Sequence, residues 1–301
     1  MELWNELCKA VGRENVFQNE PMSRHTTFRI GGLADYFVTP ENENEIWQII
    51  SLAKQQNMPY YIVGNGSNLL VGDKGYRGII IQICKKMNQI NVCENRLHAQ
   101  GGALLSKIAA IALEHSLTGF EFAAGIPGTL GGAVMMNAGA YGGEMKQILT
   151  EAKVLDESGR IKILAVEELE LGYRSSILEK RNDIVLSAVL ALEKGESGVI
   201  RAQLEELRER RTNKQPLEYP SAGSAFKRPT GFYAGQLIED AGLRGFRIGD
   251  AQVSIKHCGF VINCGQATAA DVVSLMDHII DQVESRYGVR LEPEVKRIGE
   301  F

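Results

Sequence analysis

Several absences narrow what this 301-residue chain can be. No apolar run approaches the roughly twenty residues that span a bilayer. The opening MELWNELCKAVG lacks the basic-then-apolar order of a secretory signal. A cytoplasmic protein without a membrane is therefore expected. The five cysteines (Cys8, Cys84, Cys93, Cys258, Cys264) are odd in number, scattered and without a CxxC pair. That argues against a disulfide framework or a zinc site and for a reducing compartment, with no metal expected. A net charge of −4 supplies no basic surface for a nucleic-acid backbone. GxGxxG is missing, which argues against a Rossmann dinucleotide site. GxxxxGK[ST] is missing too, so an ATP-cleaving P-loop is not expected. Without GxSxG there is no elbow for a nucleophilic serine. Neither internal repeats nor low-complexity tails interrupt an ordinary globular composition of 44% hydrophobic and 23% charged residues, and a prior of about two domains applies.

Glycine is abundant where most else is missing. Residues 119–143 read GFEFAAGIPGTLGGAVMMNAGAYGG, with eight glycines and Glu121 as the one charge. Glycine at this density costs chain entropy, so a fold keeps it for tight turns or close approach. Phe120, Phe122, Met135 and Met136 flank it, unlike the serine-rich surroundings of a flexible linker. Two readings stand: backbone N–H groups wrapped around phosphates, or tight packing of turns. A second loop favours the first reading. Tyr60-Tyr61-Ile62-Val63 reads as a strand that runs into Gly64-Asn65-Gly66-Ser67-Asn68, with no helix pattern after it.

Elsewhere periodicity predicts a helix over 42–57 (Ile46, Ile49, Ile50, Ala53) stopped by Pro59, strands at 60–63 and 78–83, and a helix near 103–115. A hairpin is expected around Asp156-Glu157-Ser158-Gly159. A strand follows at 184–192, with alternate residues on one face. Residues 199–214 predict a charged amphipathic helix ended by Gln215-Pro216, its Arg208, Arg210 and Arg211 forming a solvated face. The remainder predicts a compact α/β unit with helices near 233–241 and 269–287 and strands at 251–255 and 259–263.

Three short motifs contain groups able to do chemistry. Gly172-Tyr173-Arg174-Ser175-Ser176 offers an arginine, SAGSAFKRP at 221–229 offers Ser224 in a glycine turn, and LEPEV at 291–295 offers Glu294. Taken singly, each has a bland reading: a surface ion pair, a turn serine, an exposed carboxylate opening a short strand.

In this order and at these spacings, and together with both glycine loops and HTTFRIGGLADYF at 25–37, the motifs resemble the UDP-N-acetylenolpyruvoylglucosamine reductase (MurB) family along nearly the whole chain. The resemblance is to the shorter second type, which lacks a tyrosine-bearing loop. It implies an α+β fold: a two-part FAD-binding domain of the vanillyl-alcohol-oxidase (PCMH) type, at 1–75 and 76–198, plus a C-terminal α/β substrate-binding domain at 199–301. It also implies noncovalent FAD, NADPH as hydride donor, and UDP-N-acetylglucosamine enolpyruvate as small-molecule substrate in peptidoglycan precursor synthesis. No obligate protein partner is implied.

Carried over residue by residue, Arg174 would hold the substrate carboxylate, Ser224 would be the proton donor at C2, and Glu294 would lie across the same carboxylate. Backbone amides of Gly64, Asn65, Gly66, Ser67 and Asn68, and of Gly125, Ile126, Gly128, Thr129, Gly131 and Gly132, would surround the pyrophosphate. Asn137, Gly139 and Ala140 would lie nearer the isoalloxazine. Tyr173, Lys214, Arg228 and His257 would touch substrate, although some relatives have asparagine where Arg228 stands. His25 is noted because some superfamily flavins are attached through histidine, whereas this family holds FAD noncovalently. A related flavin oxidase of small alcohols would share the glycine loops but has no reason for the YR, AGS and EPEV set. A non-catalytic flavin-binding module would lack all three groups.

Overall fold

The computed structural model describes residues 2–301 and divides the chain into two compact units, each discontinuous in sequence. The first comprises residues up to Phe17, Phe37–Asn65 and Ile80–Arg211; the second comprises Gln18–Tyr36, Gly66–Ile79 and Thr212–Phe301. These bounds differ from the three consecutive segments expected from the sequence, because residues 18–36 and 66–79 fold with the C-terminal third. Phe28, Ile30 and Leu70 bury their side chains in the same cluster as Phe226, Leu237, Val261 and Leu275.

The first unit is built on a five-stranded antiparallel sheet. Its order is Ile161–Ala165, Leu149–Leu155, Ile184–Ala191, Arg96–Gln100, Ile90–Cys93. Ala152 lies opposite Leu164 on one side and Ala188 on the other, and Ala188 in turn lies opposite Ala99. Small residues at these paired positions leave room for the helices above. Leu105–Glu114 buries Leu105, Ile108, Ala109 and Ala112, and the six-residue helix Leu130–Met135 rests on strand Ile184–Ala191. That central strand is buried on both faces rather than on alternate residues. The alternation visible in the sequence was only half of its burial, since cover on the second face comes from distant segments.

Helix Glu43–Gln55 begins where Asn42 accepts a hydrogen bond from the backbone of Glu45 at 3.0 Å, and it buries Ile46, Ile49, Ile50 and Ala53. Helix Ser197–Lys214 buries only Ile200 fully, a narrower apolar seam than an amphipathic core helix presents.

In the second unit an antiparallel sheet runs Ser221–Ser224, Phe260–Asn263, Ala251–Val253, Arg247–Ile248. Helices Ala234–Asp240 and Ala269–Tyr287 pack beside it. The longer helix is the one predicted from its stripe. Thr268 and Asp271 form its capping box, and Gly288 ends it in the left-handed conformation. Lys296–Ile298 pairs parallel with Leu69–Val71. The strand thus begins two residues after Glu294. Among the described residues no helix is long and apolar enough to cross a membrane.

The hairpin turn at Asp156 shows how one carboxylate can organise three neighbouring residues. Its Oδ1 accepts from Ser158 N (2.9 Å), Ser158 Oγ (2.6 Å) and Arg160 N (3.0 Å), and its Oδ2 from Arg160 Nε (3.1 Å) and Lys162 Nζ (2.7 Å). The Lys162 ammonium first, then the Ser158 hydroxyl, hold this carboxyl far below the usual range. A depressed folded-state pKa contributes stability that is complete above the unfolded-state value, about 3.9, and is lost as pH falls below it. The stability gap between wild type and Asp156→Asn is therefore expected to be constant above about pH 5 and to shrink below about pH 4. Urea unfolding across that range checks it; a gap that widened on acidification would contradict the assignment.

Candidate active site

Within the first unit the two glycine loops meet. Asn65 Nδ2 donates to Pro127 O at 2.7 Å, and a Cβ on Gly64 would overlap the Thr129 hydroxyl, so only glycine permits this approach. The second loop is pinned from below. Ile126 N donates to Ala123 O (3.0 Å), Leu130 N to Ala103 O (2.8 Å) and Gly131 N to Gly101 O (2.7 Å). Leu105 N donates to Gly128 O at 3.1 Å.

These bonds use the amides of Ile126, Leu130 and Gly131. The amides of Asn65, Gly125, Gly128, Thr129 and Gly132 donate to no other described residue. The Thr129 hydroxyl faces Gly64 in a residue that is only 2% exposed. Asn65, Gly128 and Thr129 are buried or half-buried, where donors without acceptors are costly unless a ligand supplies them, while Gly125 and Gly132 are exposed. The donor set suits a pyrophosphate.

The second unit receives the rest of the first loop. Thr27 N donates to Gly66 O at 3.1 Å, while Asn68 Nδ2 donates to Glu294 O at 3.2 Å and Asn68 O accepts from Lys296 N at 3.1 Å. Gly66 is left-handed (φ +62°), and a Cβ there would overlap the His25 carbonyl. His25 itself pairs its Nε2 with Glu20 Oε1 at 2.9 Å. Asn68 is thus tied to the Glu294 segment by both its side chain and its carbonyl.

Ser224 and Glu294 belong to the same construction. Ser221 lies opposite Ile262 and Ser224 opposite Phe260, so Ala222 and Gly223 together face one partner residue. This is a β-bulge with left-handed Gly223 (φ +79°) at its apex. The bulge breaks strand alternation: Ala222, Ala225 and Phe226 are buried and Ser224 is turned out. Glu294 N then donates to Ala225 O at 2.9 Å, Lys227 N to Glu292 O at 2.8 Å, and Phe226 bridges Pro293. Two residues seventy positions apart are held on adjoining backbone, with Glu294 half-buried.

In the first unit, Tyr173 and Arg174 form the tip of a two-residue turn. Gly172 N donates to Ser175 O (3.1 Å) and Ser175 N to Gly172 O (3.3 Å). Arg174 takes a left-handed φ of +52°, uncommon for a residue with a Cβ, and its guanidinium lies 5.2 Å from the centroid of the Tyr173 ring.

The other candidate residues fall in different settings. Lys214 is exposed at the end of its helix. Arg228 stacks 4.0 Å over the Tyr233 ring. His257 is half-buried, with Nδ1 accepting from Gly259 N at 3.1 Å and the ring edge-on to Phe260; burial holds its pKa below the usual histidine value. Its Nε2 has no partner among the described residues, so the neutral ring presents an N–H there. Arg208 and Arg210 are exposed, as a solvated face requires, but Arg211 is half-buried against Gly125 and its pKa is lowered by that burial. Gly139 and Ala140 form a short ribbon with Gly143 and Glu144. Neither the Gly223 bulge nor the reach of Asn68 was singled out in the sequence; the GSNLL and SAGS strings were the only signals.

Comparison with known proteins comes from sequence and from fold. The profile of the UDP-N-acetylenolpyruvoylglucosamine reductase C-terminal domain matches residues 215–298, and that of an FAD binding domain matches residues 34–165. The UDP-N-acetylenolpyruvoylglucosamine reductase of Caldanaerobacter subterraneus subsp. tengcongensis is 50% identical over 298 residues, 99% of this chain and 98% of its own. The crystal structure of the Thermus caldophilus reductase superposes with a TM-score of 0.79 at 34% identity, covering 92% of this chain and 97% of its own. Phl p 4.0202, a glucose dehydrogenase, superposes with a TM-score of 0.52 at 12% identity over 65% of this chain and 45% of its own, a likeness of fold alone.

Two of the left-handed glycines of the second unit, Gly66 and Gly223, are expected to respond differently to alanine. At Gly223 a Cβ would meet nothing within 4 Å, so Gly223→Ala costs only the conformational term, about 1–2 kcal/mol. Gly66→Ala adds overlap with a backbone carbonyl and should lose on the order of 3 kcal/mol or more. Chemical denaturation of both variants decides; equal losses would mean that the Gly66 loop yields freely.

Proposed function

The chain belongs to the UDP-N-acetylenolpyruvoylglucosamine reductase family, and we infer that it is the FAD-dependent oxidoreductase that reduces UDP-N-acetylglucosamine enolpyruvate to UDP-N-acetylmuramate with NADPH, in peptidoglycan precursor synthesis. The observation that carries this reading is the match along 99% of the chain at 50% identity. The fold is that of a flavin domain joined to a substrate-binding domain. FAD, once bound, would supply the hydride-transfer chemistry that links NADPH to C3 of the enolpyruvyl group. The unmatched amides of Asn65, Gly125, Gly128, Thr129 and Gly132, with the Thr129 hydroxyl, fit its pyrophosphate.

The residue roles follow from the charge that the reaction creates. Hydride arriving at C3 pushes negative charge through C2 into the substrate carboxylate. A fixed positive charge there stabilises the transition state more than the ground state. Arg174, aimed by its left-handed turn, offers a planar two-donor fork that lysine cannot reproduce. Glu294 acts across the same carboxylate, contributing a shared proton. Ser224, turned out of its strand by the bulge, delivers its hydroxyl proton to C2. A neutral serine is a weak acid, but a carbanion-like carbon is basic enough to take its proton at close range. Lys214, Tyr173, Arg228 and His257 supply donors and ring faces for the sugar nucleotide. A cytoplasmic location without nucleic-acid, membrane or obligate protein partners completes the reading.

Anaerobic half-reactions test it. NADPH should bleach the flavin of Ser224→Ala within about twofold of the wild-type rate, while its reoxidation by UDP-N-acetylglucosamine enolpyruvate falls about 10²- to 10⁴-fold. Arg174→Lys should also retain the first step and lose about 10²-fold in the second. Equal slowing of both steps would remove Ser224 from the acid role. Wild-type reoxidation by oxygen but not by the enolpyruvyl compound would reject the reductase reading.

A further inference from the structure

We propose that Asn137 is a positioning residue that sets the orientation of Arg174, rather than a flavin ligand; this rests on the reading of Arg174 as the group that holds the substrate carboxylate. Asn137 is 2% exposed and adopts a left-handed φ of +44°. Its side chain is almost fully engaged within the protein. Nδ2 donates both hydrogens, to Glu144 Oε2 at 3.0 Å and to Gly172 O at 3.2 Å, and Oδ1 accepts from Lys146 N at 2.9 Å. Its backbone N–H is donated to Val134 O at 3.2 Å. An asparagine has two side-chain donors, so none remains for a flavin carbonyl or ring nitrogen.

The destination of those bonds gives the role. Gly172 O is also the acceptor of the Ser175 amide that closes the Tyr173–Arg174 turn. Asn137 therefore grips the turn at its entry. At the exit, the buried hydroxyl of Ser176 donates to Met135 O at 2.6 Å. Both anchors sit at the C-terminal end of helix Leu130–Met135, whose first residues Leu130 and Gly131 are bonded to Ala103 and Gly101. The third partner is itself braced: Glu144 and Gln147 form a reciprocal capping box at residues 144–147. A left-handed arginine on a two-residue turn has no regular secondary structure to hold its direction. The Asn137 carboxamide and the Ser176 hydroxyl supply that restraint.

The test compares Asn137→Asp, Asn137→Gly, Arg174→Lys and the double variant Asn137→Asp/Arg174→Lys, each as FAD-loaded protein. Aspartate and glycine both accept a left-handed φ. Neither side chain can donate to Gly172 O in its ionised or absent form. Expected results are retained FAD, NADPH-driven bleaching within about threefold of wild type, and substrate-driven reoxidation slowed about 10- to 100-fold, the range for a group displaced by about 1 Å. The double variant should be no slower than Arg174→Lys beyond about threefold, because Asn137 acts through Arg174. Additive losses, or lowered FAD retention and thermal stability with both half-reactions slowed together in both Asn137 variants, would overturn the proposal in favour of a structural or flavin-binding role. A normal Arg174→Lys would instead reject the underlying assignment of Arg174, and this proposal with it. A slow Arg174→Lys beside unaffected Asn137 variants would overturn the Asn137 role alone.

Discussion

The donation of an asparagine carboxamide to a distant backbone carbonyl recurs wherever the candidate site needs a loop held still. Asn65 reaches Pro127, Asn68 reaches Glu294 and Asn137 reaches Gly172. Each acceptor is a carbonyl oxygen, so the amide nitrogen must face it. The constraint behind this recurrence is simple. A loop that presents its N–H groups to a ligand cannot use them to brace itself, as a helix or sheet would. Its rigidity has to come from its remaining backbone groups and from side chains, and asparagine is short enough to help without reaching into the ligand's space. The same residue type tolerates the left-handed backbone that such loops require.

The groups assigned to chemistry are aimed by backbone devices more than by side-chain packing. Ser224 is turned out of its strand by the bulge at Gly223, and Arg174 projects from a turn through its own positive φ. Glu294 sits beside Ser224 because Glu294 N bonds Ala225 O, a single backbone hydrogen bond across seventy residues of sequence. Bulges and left-handed residues carry an energetic cost, so they persist only where surrounding bonds over-determine them. Around Ser224 those bonds include the Ala225–Gly259, Glu294–Ala225 and Lys227–Glu292 pairs.

Helix Leu130–Met135 gives the first unit its economy. Only six residues long, it buries Leu130, Ala133 and Val134 on the central sheet strand. The loop amides fitted to the cofactor lie at its start, and the anchors of the arginine turn lie at its end. With both ends fixed to the sheet and its flanking loops, the helix sets the spacing between the Gly128–Thr129 loop and the Tyr173–Arg174 turn. Glycines at 131 and 132 are poor helix formers, and the helix survives on tertiary burial instead.

The sequence by itself determined the periodic elements, because burial of one apolar face writes itself into residue spacing. Helix Ala269–Tyr287, helix Glu43–Gln55 and the hairpin around Asp156 all lie where their patterns place them. It also determined family and chemistry, through motifs whose combination resembles one reductase family, a membership that the full-length match establishes. Only the tertiary structure decided which segments fold together. Residues 18–36 and 66–79 join the C-terminal unit through the burial of Phe28, Ile30 and Leu70 and the pairing of Leu69–Val71 with Lys296–Ile298, contacts between segments far apart in sequence that leave no period. It also decided the left-handed Arg174, the Gly223 bulge, which the SAGS string only hints at, and the grip of Asn137 on Gly172. Those features depend on where a carbonyl lies in space, and position in space is what a string of residues does not record.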